Sequence, residues 1–184
     1  MESDKHRWNK KYETAPMPSR PIKAFEKIEA LLKAESKALD IACGMGRHTN
    51  FLAAKKIYVD AVDHSDVALD KLDKNSYIRA LDLDLDSYVI NKDAYDLIVC
   101  TNFLSRRLFP FMKAGLKAGG LIVFETFVEC EHLQSHQTSN IEYHLRRNEL
   151  LHAFIGLEIL FYEERIERNL RDEVVKIATL IAKK

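Results

Sequence analysis

Apolar and polar positions along this chain switch between two periods, and the switching sets out an α/β order. Strand-like apolar runs occur at 38–43, 57–62, 77–81, 97–101 and 121–127. Segments with helical spacing separate most of them, at 48–55, 66–73 and 104–118. Ahead of the first strand, Pro16, Pro18 and Pro21 mark a loop and then open an amphipathic helix. Along that helix Ile22, Phe25, Ile28, Leu31 and Leu32 recur at helical spacing. Such βαβ alternation predicts a parallel sheet covered on both faces.

The pattern changes near the carboxyl end. A helix over 149–155, capped by Asn148, stops at Gly156. Two strand-like runs follow, 157–162 and 174–182, joined by a polar segment containing Asn169 and Asp172. Strands joined without a crossover helix are expected to be antiparallel neighbours. The sheet should therefore finish in an antiparallel pair.

Bulk properties narrow the function classes. At 184 residues the chain fits one domain with a substantial core. Its 28 Lys and Arg balance 28 Asp and Glu, so net charge gives no electrostatic case for nucleic acid or an anionic membrane. Cys43, Cys100 and Cys130 are few, odd in number and widely spaced, as in a reducing compartment. The charged start, Met1 to Trp8, lacks the apolar core of a signal peptide. No run is long enough to span a bilayer, which takes about 20 residues. A cytoplasmic protein is expected.

Candidate chemistry begins where the first strand ends in Asp40 and gives way to Ala42, Cys43, Gly44, Met45 and Gly46. Glycines there let a backbone approach a ligand closely, and ligands of open α/β sheets bind outside the strands' carboxyl ends. A second acid, Asp63, ends the next apolar run, and together the two point to a nucleoside-bearing small molecule. A dinucleotide fingerprint needs G-x-G-x-x-G/A with an acid about 20 residues further on. Gly44, Gly46 and Asp63 fit that spacing, but the third small position is the branched Thr49. Asp40 would also place negative charge near the pyrophosphate. A cationic or zwitterionic ligand suits that acid better.

The D-x-A-x-G-x-G arrangement of Asp40, Ala42, Gly44 and Gly46 resembles the D/E-x-G-x-G-x-G motif of class I methyltransferases, with Ala42 replacing the first glycine. From Trp8 to Glu164 the chain resembles a bacterial group of these enzymes related to the tellurite-resistance type. The likeness is carried by Arg7-Trp8-Asn9 with Tyr12, by Thr101-Asn102-Phe103-Leu104-Ser105-Arg106, and by Gly119-Gly120-Leu121 running to Glu125-Thr126-Phe127. Asn140 to Leu151 matches a later segment, with Ile141 where proline is usual. A Gly/Pro-rich loop of the group is replaced by Glu129 to Ser139.

The resemblance implies an α/β, Rossmann-like methyltransferase fold. Its mostly parallel seven-stranded sheet would run in the order 3-2-1-4-5-7-6, with an antiparallel C-terminal strand and helices on both faces. One domain would comprise a cap segment and first helix (1–35), a cofactor-binding core (36–128), a variable substrate-side loop (129–148) and a C-terminal helix with its strand pair (149–184). The implied cofactor is S-adenosylmethionine, and the implied partner a small-molecule nucleophile. A non-catalytic cofactor-binding regulator of the same fold, and an NAD-linked oxidoreductase, are the alternatives.

On this reading Ala42, Gly44 and Gly46 run beside the methionyl moiety and ribose, and Asp40 reaches its amino group directly or through water. Asp63, with His64, holds the ribose; Asp82 with Leu83, or Asp84, meets the adenine, since the period-two acids leave the register open. Trp8 and Tyr12 close over the cofactor, and Thr101 and Asn102 flank it after the fourth strand. Substrate-side candidates are Asn102, Phe103, Arg106, Glu125 and Arg146, the arginines as anion contacts.

Plain structural roles are open to most of these residues. Asp40 could cap a strand end, Asp82, Asp84 and Asp86 could be a solvated strand side, and Trp8 could be packing. Asn102 could cap a helix, and Arg106 could pair with Glu125. Cys43 reads as a buried small residue. Cys130, His132 and His136, with His144 further on, fit a mobile substrate-covering segment better than a metal site, for they lack an H-E-x-x-H pattern.

Overall fold

The computed structural model describes residues 2–14, 18–130, 141–169 and 172–184. Seven strands form one sheet in the order β3-β2-β1-β4-β5-β7-β6. They are β1 (Lys37–Ile41), β2 (Tyr58–Asp63), β3 (Ile78–Asp82), β4 (Tyr95–Thr101), β5 (Leu116–Phe127), β6 (Glu158–Arg168) and β7 (Val174–Lys183). The first five pair in parallel, and β7 runs antiparallel to both β5 and β6. Strand order therefore reverses beside β1, with β2 on one side and β4 on the other. That reversal opens a crevice at the carboxyl ends of the strands.

The helices are α1 (Glu2–Thr14), α2 (Ala24–Ile28), α3 (Arg47–Ala54), α4 (Asp66–Leu69), α5 (Phe109–Gly115) and α6 (Glu149–Phe154). Residues alternate between the two faces of the sheet as the pleat requires. Ala38, Val59, Leu97, Val99 and Val123 pack with Phe25 and Ile28 of α2 and Leu52 of α3. On the other face Leu39, Ile41, Ile98, Ile122 and Phe124 pack with Phe109 and Met112 of α5 and Phe154 of α6. Phe109, Phe124 and Phe154 meet as a trio with ring centroids 5.5–6.1 Å apart. Each fully buried ring contributes roughly 1.5–3 kcal/mol of transfer free energy.

Asp40, Thr101, Glu125 and Thr179 all sit on the α2–α3 face. Register sets Thr101 opposite Glu125 and Glu125 opposite Thr179, a polar row inside an otherwise apolar sheet. Below the crevice, buried Asp60 accepts two hydrogen bonds from Arg79 (2.7 and 2.8 Å) and one from the Tyr95 hydroxyl (2.8 Å). Lys37 Nζ stands 3.1 Å from it. Burial opposes its ionisation, yet these partners hold the carboxyl below the usual range and tie β1 to β4 together.

Several element boundaries differ from the expected ones. The helix expected after Pro21 is shorter, ending at Ile28 and followed by one 3-10 turn to Leu31, whose side chain is exposed. The expected helix at 66–73 stops at Leu69. The one expected at 104–118 begins at Phe109, with Pro110 in its first turn, and yields to β5 at Leu116. Strand β6 continues to Arg168, past the expected 162, because its charged outer half is an edge strand needing no apolar run. Asn148 precedes α6 in a left-handed conformation (φ 59°) and makes no side-chain cap.

Helix α1 was not foreseen, since it has no apolar stripe. Pro16, His132, His136 and half of the 129–148 segment, residues 131–140, lie outside the described residues. No helix among the described residues is long and apolar enough to cross a membrane.

Candidate active site

The turn after β1 is held in place by the end of β2. The Gly44 N–H donates to Asp63 Oδ2 at 2.8 Å, and the Ser65 N–H donates to Asp63 Oδ1 at 2.9 Å. The Cys43 N–H donates to the Val62 carbonyl at 3.1 Å, and the Gly46 N–H to the Cys43 carbonyl at 3.0 Å. Ala42, Gly44 and Gly46 all take positive φ (53°, 54° and 82°). That conformation is free for glycine and strained for alanine, so Ala42 stores a little backbone strain here. A Cβ on Gly46 would stand 2.2 Å from Leu72 Cδ2, and one on Gly44 would stand 2.9 Å from the Tyr12 hydroxyl. Gly44 thus offers bare backbone to whatever lies above it, and in this structure that is Tyr12.

Asp40 lies deeper than expected of a direct ligand contact, at 1 % exposure. The Thr49 hydroxyl donates to its Oδ2 at 2.7 Å. Burial pushes its carboxyl up to about 7, against the opposing pull of the Thr49 bond and the Arg47 charge. Thr49, the branched residue that spoils a dinucleotide fingerprint, is fully buried and supplies that bond. Burial likewise raises the Asp63 carboxyl, opposed by its backbone hydrogen bonds.

Around Asp63 the next strand end and α1 close in. Register places Asp82 opposite Asp63, and the Leu83 N–H donates to the Asp63 carbonyl at 3.1 Å. Asp82 takes Lys5 Nζ at 2.5 Å and stands 3.7 Å from His64 Nδ1. Asp84 instead accepts the Asp86 N–H at 3.0 Å and caps a turn. Asp82 is therefore the acid that lies beside Asp63 at the strand ends. Leu83 is partly exposed beside it, while His64 Nδ1 is buried without a hydrogen-bond partner.

Helix α1 docks through Asn9, which donates to Asp66 at 2.7 Å and accepts from the Ser65 hydroxyl at 2.5 Å. Trp8 and Tyr12 stack at 5.9 Å, with Lys11 Nζ 4.2 Å from the indole centroid.

Across the crevice, Thr101 is buried, and Asn102 is exposed in a left-handed conformation (φ 54°), its N–H donating to the Glu125 carbonyl at 2.8 Å. Buried Glu125 accepts the Thr179 hydroxyl at 2.6 Å and Arg165 Nη2 at 3.0 Å, both on Oε2. Arg165 also donates to Glu167 at 2.7 Å and to Thr179 at 2.5 Å.

Arg106 does not pair with Glu125. Its guanidinium grips both carboxylate oxygens of Glu149 (2.6 and 2.9 Å) and the carbonyls of Glu142 (2.9 Å) and His144 (2.8 Å). It is a clamp joining the turn after β4 to the segment before α6. Arg146 is exposed and engages Glu149 through its own N–H at 2.7 Å. Phe103 is partly buried against the core.

Sequence reasoning passed over Arg47 and Arg165. Arg47 stood in the motif directly after Gly46, and its position as first residue of α3 was the available signal. Arg165 lies in a run of alternating charges and is singled out only by register. Cys43 and Cys100 are buried, and burial raises both thiols. Among the described residues no three potential ligands gather into a metal site.

The sheet order, the reversal beside β1 and the glycine turn facing strand-end acids define a Rossmann-like fold of the class I methyltransferase type. Over residues 1–174 the chain matches the family described as Tellurite resistance protein TehB, and it belongs to that family. The crystal structure of TehB from Haemophilus influenzae superposes with a TM-score of 0.76, covering 98 % of this chain and 66 % of that one at 22 % identity. Hemagglutinin 1 of Eikenella corrodens is 29 % identical over 82 % of this chain and 55 % of its own length. A malonyl-[acyl-carrier protein] O-methyltransferase from Paenibacillus sp. (strain JDR-2) is 31 % identical over 60 % of this chain and 45 % of its own. The chain spans about half the length of these curated relatives.

Proposed function

We propose that this chain binds S-adenosylmethionine in the crevice between β1 and β4 and methylates a small-molecule nucleophile. The observation that carries this reading is the Gly44 turn pinned by Asp63. It joins a bare backbone cradle to a buried carboxylate that still has acceptor capacity on both oxygens. Two features fit an adenosyl ligand. A side chain at position 44 would fill the cradle, and His64 Nδ1 is buried next to Asp82 without a partner. The O-methyltransferase among the relatives supports the same reaction class.

In this assignment Asp63 accepts the ribose hydroxyls, with His64 beside it. Asp82 takes the adenine amino group and Leu83 packs on the ring. Gly44 and Gly46 run beside the methionyl chain above Asp40, and Trp8 and Tyr12 cover the ligand. Thr101 and Asn102 line the opposite wall, next to Glu125. When bound, the cofactor supplies an electrophilic methyl group on a positively charged sulfur.

What the protein contributes is alignment and exclusion of water, since in-line displacement depends chiefly on positioning. A soft anionic acceptor needs no general base, whereas a hydroxyl or ammonium needs one. Two buried free thiols suit a reducing compartment such as the cytoplasm.

Calorimetry tests the reading. S-adenosylhomocysteine should bind at one site per chain, and NADH should give no heat. Absence of binding by both S-adenosylmethionine and S-adenosylhomocysteine would falsify it. Binding without methyl transfer across a broad panel of thiols, oxyanions, amines and alcohols would reassign the chain as a cofactor-binding regulator.

A further inference from the structure

Strand β6 ends the sheet on one side, and no strand among the described residues pairs with its outer edge. At 11 residues it is more than twice as long as β3, the five-residue edge on the other side. Its one irregularity lies between Ile159 and Phe161, so from Phe161 to Arg168 it pairs with β7 without interruption. A long regular edge presents a row of unpaired N–H and C=O groups that another strand can take up. Proteins blunt such edges with a bulge, a proline or lysines, and this stretch has none of them.

Its charges are arranged for a different purpose. Glu164, Arg165, Ile166, Glu167 and Arg168 carry an order of signs that inverts when read backwards about Ile166. A second β6 laid antiparallel, with a two-fold axis through Ile166, sets Arg165 opposite Glu167 and Glu164 opposite Arg168. Every charged residue of the stretch then faces one of opposite sign, and Ile166 meets its own copy. Directly facing opposite charges stabilise a strand pair, and like charges destabilise it. Moving the axis to Arg165 would set that arginine on itself and Glu163 on Glu167. Moving it to Glu167 would set that acid on itself.

Exposure and contacts fit the same register. Ile166 is 62 % exposed, more than any other large apolar side chain on a described strand. Arg168 meets only the exposed Asp172 carboxylate at 3.1 Å, a pair that solvent keeps weak, so it can turn to a new partner. Glu164 is held in place by Lys176 Nζ and the Tyr162 hydroxyl, both at 2.6 Å. Arg165 and Glu167 already touch at 2.7 Å on the face that carries Glu125. Pairing would join them to their counterparts in a ring of alternating charge.

We propose that this edge is a homodimer interface: two copies of the chain join antiparallel through β6, centred on Ile166, into one continuous sheet. An unrelated strand would lack the inverted charge order, which makes a second copy the fitting partner. The two-fold pairing uses the edge up on both copies, so association closes at the dimer. The inference is independent of the cofactor reading above.

Sedimentation velocity on the full chain tests it. A contact confined to one strand edge is at the small end of specific interfaces and binds weakly, so concentrations should reach about 1 mM. The wild type should pass from monomer to dimer within that range, and added salt should shift it back toward monomer. Ile166→Lys and Ile166→Asp each set two like charges against one another on the axis. Each should weaken dimerisation about fivefold or more. Mixed in equal amounts, the two variants should form a heterodimer tighter than either variant's own dimer. If position 166 does not tolerate a charge, Arg168→Glu sets an acid against Glu164 of the second copy and should weaken dimerisation likewise.

A wild type that stays monomeric throughout overturns the proposal. So do folded variants that dimerise as well as the wild type, and so does a mixture of the two position-166 variants that recovers no heterodimer.

Discussion

Asp63 holds Gly44: a carboxylate at the end of β2 accepts the backbone N–H of the turn after β1 at 2.8 Å, while its other oxygen takes the Ser65 N–H at 2.9 Å. One side chain therefore both shapes the cradle and stands ready for the ligand. Asp63→Ala should lower stability and weaken binding together. Hydrogen bonds to a charged group are worth about 1.5–3 kcal/mol each, so unfolding free energy should fall by about 2 kcal/mol or more. Affinity for S-adenosylhomocysteine should fall at least about tenfold. Chemical denaturation beside calorimetry checks both, and unchanged affinity in a folded variant removes Asp63 from the site.

Arg106 is expected to behave as a structural residue. Its bonds to Glu149, Glu142 and His144 bridge elements that are far apart in the chain. The pair is partly exposed, so its charge is discounted by solvent. Arg106→Ala should then cost about 1–2 kcal/mol of stability and leave cofactor affinity within about twofold. Urea melts read the first effect. A variant with an unshifted midpoint and abolished turnover would return Arg106 to the substrate side.

The central strands were legible because parallel strands buried on both faces are simple apolar runs, and the antiparallel ending followed from the missing crossover helix. Gly44, Gly46 and Asp63 were legible because strand-end position and spacing alone mark them. Helix α1 was not, since its stability comes from docking through Asn9 and Lys5 rather than from an apolar stripe. The helix expected from 104 was overextended, for Leu104 and Leu108 have helical spacing although Ser105 is extended. The pairing that sets Asp82 opposite Asp63 was not legible, because register exists only in the assembled sheet. The partners of Arg106 were not legible because Glu149 lies 43 residues away, and the surroundings of Arg47 exist only in the folded state.

His48 should make the protein sensitive to acid. Its Nε2 accepts the Ile22 N–H at 3.4 Å and its ring stacks on Phe25 at 5.1 Å. Burial, and secondarily the Arg47 charge, push its pKa down to about 3. The unfolded chain binds that proton near pH 6.5, about the free value. Stability from neutral His48 is thus fully present above about pH 6.5 and is lost as pH falls toward 3. His48→Gln should show a flatter fall in melting temperature between about pH 7 and pH 4 than the wild type. Parallel profiles would show that the imidazole is not responsible.

Asp40 works in the opposite direction over an overlapping range. Its folded pKa is raised to about 7 from an ordinary 3.8, so the native state holds a proton that the unfolded chain has released. Its contribution is greatest below about pH 4, declines as pH rises, and is flat above about pH 7. Asp40→Asn should consequently gain on the wild type in melting temperature between about pH 4 and pH 7. Only the two variants separate Asp40 from His48, since their slopes partly cancel in the parent. A constant offset across that range would mean Asp40 is ionised throughout.

Helix α1 lies across the proposed cofactor site, and its attachments differ in strength. Tyr12 rests on the bare backbone of Gly44, Asn9 is hydrogen-bonded to Ser65 and Asp66, and Lys5 reaches Asp82 through an accessible ion pair. An exposed pair is worth about 0.2–1 kcal/mol and is screened by salt, so Lys5→Ala should speed S-adenosylhomocysteine release by no more than about fivefold. Because Lys5 meets the same carboxylate assigned to the adenine, part of that gain should be offset by the freed Asp82. Removing residues 1–14 takes away the aromatic cover as well and should accelerate release far more, with a smaller rise in association rate. Tyr12→Ala should fall between the two. Stopped-flow displacement measures all three, and added salt should narrow the gap between wild type and Lys5→Ala. Equal release rates for the truncated and full chains would mean that α1 packs beside the cofactor without covering it.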